Sequence, residues 1–182
     1  WTAPRQFGLY WLVCTVTDNR GGEVTDSLGV SVGHLVAYYT LDNNTEDFSG
    51  FDHNGTASGV TAVEDRQGIP DKALYFDGLN DYIRIANSPA LNNQKAITIS
   101  LWINISPYDS TQEAYPISHG NWENRWKISI TAKKIRWTIK TDTTINSGVK
   151  DLDSQSQLKW DTWYMVSATY GDGKIEIYIN GV

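Results

Sequence analysis

The stretch that decides the predicted fold is residues 73–86, ALYFDGLNDYIRIA. Leu74 and Phe76 alternate with more polar neighbours, and Ile83 and Ile85 do the same after a short interruption. Such period-two alternation indicates half-buried β-strands. The interruption, GLND at residues 78–81, consists mainly of residues that favour turns. The stretch therefore predicts a β-hairpin.

The same stretch resembles the FDGxxDYI segment of LamG-like jelly rolls, which belong to the concanavalin A-like lectin/glucanase superfamily. Three further segments of that family occur here in the same order: ITISLWIN (97–104), KWDTWYMVSATY (159–170) and KIEIYINGV (174–182). The resemblance covers residues 34–182 and implies an all-β, antiparallel two-sheet jelly-roll sandwich. It also implies further strands beyond Val182, from the same polypeptide or from another chain that completes the sheet.

The composition agrees with an all-β protein, since the 182 residues include 8 Trp, 10 Tyr and 15 Gly. Aromatic side chains suit a pleated surface, and glycines supply turns. The net charge of −6 and the lack of a basic cluster argue against nucleic-acid binding. No apolar run approaches the ~18 residues of a membrane span. The single cysteine, Cys14, cannot form an internal disulfide, and we expect it to be a small core residue.

Residues 1–33 predict a separate unit of two antiparallel strands around the turn cluster DNRGG at 18–22. They resemble the last two strands of bacterial Ig-like or PKD-type surface domains. Two strands alone are marginally stable in water, so this pair needs partners. We predict a boundary at Gly33-His34, with part of an Ig-like β-sandwich before it and the jelly roll at 34–182. The protein is then expected to extend beyond both ends of the sequence.

Within the jelly roll, alternation places most isoleucines on one face of each strand. We expect strands at 35–41, 56–64 and 96–105. We also expect two strands after residue 125 whose alternate side chains face the core. Trp102 lies opposite the isoleucines of its strand, either beneath the sheet surface or exposed on it. The expected inward-facing residues are Trp126, Ile128, Ile130, Ile135, Trp137 and Ile139.

Catalysis by these residues is not expected. Laminarinase-type hydrolases of the superfamily carry an E-x-D-x-E-like run, which puts alternate carboxylates on one face of a strand. The chain has no such run; its nearest groupings, Glu64-Asp65 and Asp151-x-Asp153, are predicted to lie in surface loops. The histidines are scattered and predicted to be loop residues. They are His34, His53 and His119.

A structural calcium ion is one prediction for the acidic loop at 42–55 and the turn after Phe76. Ca²⁺ takes about six to eight oxygen ligands, which such loops supply, and many LamG-like domains hold calcium. The predicted ligands are Asp47, Asp52, Asp77 and Asp81. The alternative is that these are ordinary turn residues, whose side chains bond to their own backbone.

The predicted ligand site is the segment Asn121-Trp122-Glu123-Asn124. It resembles the strand tip at which pentraxins, a related jelly-roll family, present an Asp-Asn pair to calcium and ligand. An exposed Trp beside amides is typical of sugar sites, because the ring stacks on a pyranose while polar groups take its hydroxyls. The alternative is a plain hairpin loop with a surface Trp. Trp102 is the other candidate.

These observations predict a non-catalytic carbohydrate-binding or adhesion module of a larger secreted or cell-surface bacterial protein. Its expected partner is a polysaccharide or glycan outside the cell, in addition to neighbouring domains. Two alternatives stay open: a structural or protein-binding spacer, and an accessory domain of a polysaccharide-degrading enzyme. An exposed, aligned pair of aromatic residues on the concave face or at the loop tips favours the first function, whereas burial of every Trp favours the spacer. A neighbouring glycosidase sequence would favour the accessory domain.

Overall fold

The computed structural model describes residues 8–17, 20, 23–32, 35–92, 96–109, 111–120, 125–141 and 148–182. Within these ranges the chain consists of β-strands, loops and a short 3-10 helix at Pro89–Leu91. The described segments include no helix with the length and hydropathy of a membrane span. The strands are β1 (Gly8–Thr17), β2 (Glu23–Val32), β3 (Gly55–Ser58), β4 (Thr61–Val63), β5 (Ala73–Tyr75), β6 (Tyr82–Ile85), β7 (Ile97–Asn104), β8 (Ala114–Gly120), β9 (Arg125–Thr131), β10 (Lys134–Lys140), β11 (Val149–Asp153), β12 (Trp163–Gly171) and β13 (Lys174–Ile179).

Two antiparallel sheets form the body of the fold. One has the strand order β11-β10-β9-β8, and the other has the order β13-β12-β7. The alternation in β7 is the one that the sequence predicts, with each isoleucine or leucine half-buried and each intervening residue exposed. Its ladder with β12 runs from Ile97 opposite Tyr170 to Asn104 opposite Trp163. The all-β sandwich prediction is confirmed.

The core lies between these two sheets. Its buried apolar residues come from β9, β10 and β12, with Leu158 from the connection before β12: Ile128, Ile130, Ile135, Trp137, Ile139, Leu158, Val166, Ala168 and Tyr170. Full burial of each large side chain stabilises the fold by about 1.5–3 kcal/mol. The Trp137 indole N–H also donates a hydrogen bond to the Thr169 carbonyl, 3.0 Å away, and so links the sheets. The inward orientation predicted for β9 and β10 is confirmed.

Two tight turns connect neighbouring strands of these sheets. Asp172 and Gly173, with φ of 49° and 75°, join β12 to β13. Ala132 and Lys133, with φ of 50° and 65°, join β9 to β10. Positive φ at both central residues matches the right-handed twist of the strands. The first turn has the glycine that this geometry favours, and the second does not.

The prediction that residues 73–86 form one hairpin is wrong in its pairing. Both strands exist, but β5 pairs with β4 and β6 pairs with β3. The intervening turn closes on itself through side chains, since Asp81 Oδ2 accepts from the Asp77 N–H at 2.9 Å and Asp77 Oδ1 accepts from the Leu79 N–H at 2.8 Å. These hydrogen bonds stabilise the turn, although the strands on either side of it pair with other strands and not with each other.

The strand predicted at 56–64 is also divided, into β3 and β4. The break is at Gly59, whose φ is +79° and where an added Cβ would lie 1.8 Å from Asp81 Oδ1. Only glycine fits a position with that φ and that close approach. The chain therefore changes partners at this residue.

The strand predicted at 35–41 is absent from the structure. Its backbone groups bond to the loop that follows instead of to a β-ladder: the Tyr38 N–H donates to Asp47 Oδ1 at 2.9 Å, and the Val36 carbonyl accepts from Ser49 Oγ at 3.1 Å. The Tyr38 carbonyl accepts from the Phe48 N–H at 2.8 Å. The segment does show apolar alternation, but its backbone groups form hydrogen bonds with a loop instead of with a neighbouring strand.

Strands β1 and β2 form a ten-residue antiparallel ladder, as predicted, from Gly8 opposite Val32 to Thr17 opposite Glu23. The prediction that Cys14 is a core residue is wrong, because its side chain is exposed. Its neighbour Val13, which points to the opposite face, is exposed as well, so neither face of the ladder is covered there. The proposed boundary at Gly33-His34 lies outside the described residues and stays a prediction.

Candidate functional site

The outward face of the four-stranded sheet is polar although much of it is buried. Because Ile128 and Ile130 point into the core, Lys127 and Ser129 point the other way. Ser129 and Thr138 have no exposed surface, and Lys127 is only 8% exposed. Buried polar groups at an outward position must be bonded to one another. This polar face comprises Glu113, Tyr115, Lys127, Ser129, Arg136, Thr138, Asp151 and Asp153.

The first half of the polar face is built around Glu113, which directly precedes β8. Its Oε1 accepts from Lys127 Nζ and from Ser129 Oγ, both at 2.6 Å. Its Oε2 accepts from the Tyr115 hydroxyl at 2.7 Å. Burial alone would raise the pKa of Glu113, but these three hydrogen bonds outweigh it and lower the pKa to about 2. Glu113 is therefore a fixed negative charge.

The second half of the polar face pairs β10 with β11. The Arg136 guanidinium donates two bonds to Asp153, from Nε at 2.6 Å and from a terminal nitrogen at 2.8 Å. This bidentate bond lowers the pKa of Asp153. Thr138 Oγ1 donates to Asp151 Oδ1. The prediction that Asp151 and Asp153 lie in a loop is wrong: both are in β11, where period-two geometry places them on the same face.

An exposed aromatic ring borders this network. Tyr115 is 57% exposed, and Lys127 Nζ lies 4.8 Å from the centroid of its ring. The polar face thus offers an aromatic surface beside hydroxyls, carboxylates and cations whose positions are fixed by mutual hydrogen bonds. That combination suits a ligand that carries many hydroxyl groups.

Trp102, a predicted ligand-binding residue, lies on the outward face of the other sheet, opposite Met165 of β12. Its side chain is 49% exposed, which settles the choice between a position beneath the sheet surface and one on it. The Arg66 guanidinium carbon lies 4.5 Å from its ring centroid. The remaining predicted ligand residues, Asn121, Trp122, Glu123 and Asn124, lie outside the described residues and stay predictions.

Asp47, a predicted calcium ligand, is buried and already bonded by protein groups. Its carboxylate accepts from the N–H groups of Tyr38, Ser49 and His53 and from the Ser49 hydroxyl. Burial would raise its pKa, but the bonds from the backbone outweigh it and lower the pKa. A carboxylate has about four lone-pair sites. Asp47 therefore organises its own loop, and its predicted role as a metal ligand stays a prediction.

The loop around Asp47 is further fastened by His53. The ring Nδ1 lies 3.0 Å from the Val36 carbonyl, and Nε2 lies 2.7 Å from Ser88 Oγ. Since a carbonyl only accepts, Nδ1 donates to Val36, while Nε2 and the Ser88 hydroxyl share the second hydrogen bond. His53 is a loop residue, as predicted, and its hydrogen bonds connect three separate segments. The same prediction is wrong for His119, which lies in β8 opposite Trp126.

Of the other predicted calcium ligands, Asp52 shares the loop of Asp47, whereas Asp77 and Asp81 lie in the turn after Phe76. Asp77 and Asp81 bond to backbone N–H groups of their own turn, as the alternative interpretation expects. Asp52 is exposed. In the described ranges no three His, Cys, Asp or Glu side chains are grouped so that they could hold a metal ion. Calcium binding through Asp47, Asp52, Asp77 and Asp81 stays a prediction.

The polar face is the feature that sequence reasoning missed. The alternation in β9 and β10 does identify four outward-facing polar residues, which are Lys127, Ser129, Arg136 and Thr138. It does not predict that their hydrogen-bond partners come from β8 and β11. Those contacts require the strand order.

Comparison with protein families matches residues 76–182 to the family described as the concanavalin A-like lectin/glucanases superfamily. That range includes every residue of the polar face. Among solved structures, the chain is similar to the binding domain of Paraclostridial Mosquitocidal Protein 1, with a TM-score of 0.60 and 21% sequence identity. The similarity covers 74% of this chain and 35% of that one, and at this identity it shows the fold alone. No curated protein matches the sequence.

Proposed function

The chain belongs to the concanavalin A-like lectin/glucanase superfamily, and from that premise we propose that it is a non-catalytic glycan-binding module. Its binding surface in this proposal is the polar face of the four-stranded sheet. We further propose that the module works outside the cell, where a larger secreted or surface-attached protein uses it to adhere to polysaccharide. The observation that carries the proposal is the hydrogen-bonded polar network beside the exposed Tyr115.

The chemistry of the polar face supports a hydroxyl-rich ligand. Sugar hydroxyls both donate and accept, and the exposed carboxylates Asp151 and Asp153 offer acceptors next to the Arg136 donors. The Tyr115 ring gives a surface on which the apolar face of a pyranose can stack. Because the charged groups already hold one another in place, little side-chain entropy is lost when a ligand binds.

The same network supports binding without hydrolysis. Glycosidases need one carboxylic acid with a raised pKa, which protonates the leaving oxygen. On the polar face the pKa values of Glu113 and Asp153 are both lowered, so both groups are ionised at neutral pH. Neither can serve as that acid.

The test is a glycan array probed with the protein, followed by calorimetric titration of the best ligand with the wild type and two variants. Tyr115→Ala is expected to weaken binding about two- to tenfold, since stacking contributes about 0.5–1.5 kcal/mol. Tyr82→Ala is the matched control, because Tyr82 is similarly exposed but lies on β6. No binding to any glycan, or equal losses in both variants, would contradict the proposal.

A further inference from the structure

A second exposed aromatic site lies on the three-stranded sheet, away from the polar face. Trp102 projects from β7 with half of its surface exposed, and the guanidinium of Arg66 stacks over its ring at 4.5 Å. Arg66 comes from the connection between β4 and β5. Stacking on an indole orients a guanidinium but uses none of its N–H donors.

The donors of Arg66 are free to take a ligand. In the part of the chain that the structure describes, no hydrogen bond or ion pair uses its guanidinium. The neighbouring carboxylate Asp65 accepts through its Oδ1 from the N–H groups of Gln67 at 2.8 Å and Ile69 at 3.0 Å. These backbone bonds, together with the nearby charge of Arg66, lower the pKa of Asp65, but no hydrogen bond joins the two side chains. An oriented guanidinium whose N–H donors are not bonded can bind a carboxylate through two parallel hydrogen bonds.

The segment that carries Arg66 is internally fastened. In addition to the two bonds to its side chain, Asp65 donates its N–H to the Ile69 carbonyl at 3.1 Å and accepts from the Gly68 N–H at 3.0 Å. The β4–β5 ladder closes the segment from Val63 opposite Ala73. The receptor is therefore held over Trp102 before any ligand arrives, which lowers the entropic cost of binding.

Hydroxyl groups continue the surface next to Trp102. One row further along the sheet, Ser100 pairs with Ser167, and Ser167 pairs with Tyr178. The two serine hydroxyls lie 2.9 Å apart, Ser100 being exposed and Ser167 half-buried, and the Tyr178 side chain is also exposed. The carboxylate of Glu176 on β13 is opposite Thr169 in the next row and accepts a hydrogen bond from the Tyr178 hydroxyl. A cation, an aromatic ring and the two serine hydroxyls thus share one end of this face, with the Tyr178–Glu176 pair beside them.

We propose that Trp102 and Arg66 form a binding subsite for a carboxylate-bearing sugar, a hexuronate. The carboxylate bonds to the guanidinium, the pyranose packs against the exposed indole, and the ring hydroxyls reach the serine and tyrosine hydroxyls. This Trp102–Arg66 subsite is separate from the polar face and uses none of its residues. In this proposal the subsite gives the module selectivity for acidic glycans, which the polar face alone does not provide.

The test follows the indole N–H signals of the ¹⁵N-labelled protein during titration with glucuronate, with Trp102→Phe identifying the Trp102 signal. A saturable shift of that signal is expected. Arg66→Lys, which keeps the charge but loses the two-pronged geometry, should weaken binding about tenfold, and Arg66→Gln should abolish it. Arg84→Gln is the control, because Arg84 is an exposed arginine on β6 and its loss should leave the shift unchanged.

Glucose and acetate are titrated in parallel. The subsite is supported if neither reproduces the saturable shift, because both the carboxylate and the sugar ring are then required. Equal shifts with acetate would mean a plain anion contact, and equal shifts with glucose, or a shift that survives Arg66→Gln, would also overturn the proposal. Tyr115→Ala should bind glucuronate at Trp102 as the wild type does, so a failure of the polar face as a glycan site is distinguished from a failure here.

Discussion

At the scale of single residues, Glu113 sets the charge balance of the polar face. Its carboxylate has three donors, and its pKa falls from the ordinary value of 4.5 to about 2. A group whose pKa is lowered by folding stabilises the native state above its unfolded pKa, and that stabilisation is lost as the pH falls through the folded pKa. The contribution of Glu113 is therefore complete above about pH 4.5 and disappears toward pH 2.

We accordingly predict that Glu113→Gln lowers the melting temperature at pH 7 and that this difference from the wild type shrinks as the pH falls from 4.5 to 2. The measurement is thermal unfolding of both proteins across that pH range, followed by circular dichroism. Glu46→Gln, at an exposed position in a loop, is the control and should show no such convergence. A difference for Glu113→Gln that is the same at both ends of the range would contradict the predicted coupling.

The sequence was sufficient to identify individual residues of the candidate sites, but not the groups with which those residues interact. Trp102 could be placed opposite the isoleucines of β7 from alternation alone, but its partner Arg66 is 36 positions earlier and was not predicted. Asp47 was recognised as an oxygen ligand in a loop. What it binds is the backbone of that loop, because the chain folds back so that N–H groups of Tyr38 and His53 reach it. Such contacts depend on loop paths that periodicity does not describe.

At the scale of elements, the turn between β9 and β10 stores strain. Ala132 and Lys133 both have positive φ, which costs a residue with a Cβ about 1–2 kcal/mol. The turn is nonetheless held in place, because the carbonyls of both residues accept bonds, from Gln157 Nε2 at 3.2 Å and from the Leu158 N–H at 2.7 Å. The connection before β12 thus fixes a turn whose own residues disfavour it.

We predict that Ala132→Asn stabilises the protein by about 0.5–1 kcal/mol, since Asn tolerates this conformation and the carbonyl contact is kept. Lys133 is left unchanged because its ammonium lies 4.6 Å from the Trp160 ring centroid. Urea unfolding of the two proteins measures the change. In the matched turn, Gly173→Ala should destabilise by a similar amount, because Gly173 has a φ of 75°. Destabilisation by Ala132→Asn would show that the turn is not strained.

The position of a strand could be predicted where its own residue pattern is sufficient. The pairing of two strands could not be predicted in this way. β7, β12 and β13 could be located from alternation and from the Asp172-Gly173 turn. The pairing of β5 and β6 could not, because it depends on Gly59 ending β3 and on aspartates closing the turn upon itself. Local patterns fix where a strand exists, but its partner depends on contacts distant in sequence.

At the scale of the whole molecule, Trp137 connects the core to the polar face. Its ring fills the space between the sheets with no exposed surface, and its N–H bonds to the Thr169 carbonyl of the opposite sheet. Its neighbours in β10, Arg136 and Thr138, point outward into the polar face. A change in how Trp137 packs therefore moves the strand that holds the centre of the proposed binding surface.

We predict that Trp137→Phe lowers the free energy of unfolding by about 2–4 kcal/mol, because it leaves a cavity and removes the hydrogen bond to the Thr169 carbonyl. Trp102→Phe, an exposed change on the other sheet, should cost less than about 0.5 kcal/mol, and urea unfolding measures both.

Because β10 also presents Arg136, Trp137→Phe should weaken binding at the polar face even where the protein is fully folded, while glucuronate binding at the Trp102–Arg66 subsite persists. Equal stability losses in the two variants would contradict a core centred on Trp137. Glycan affinity unchanged in folded Trp137→Phe would instead show that the polar face holds its geometry independently of the core beneath it.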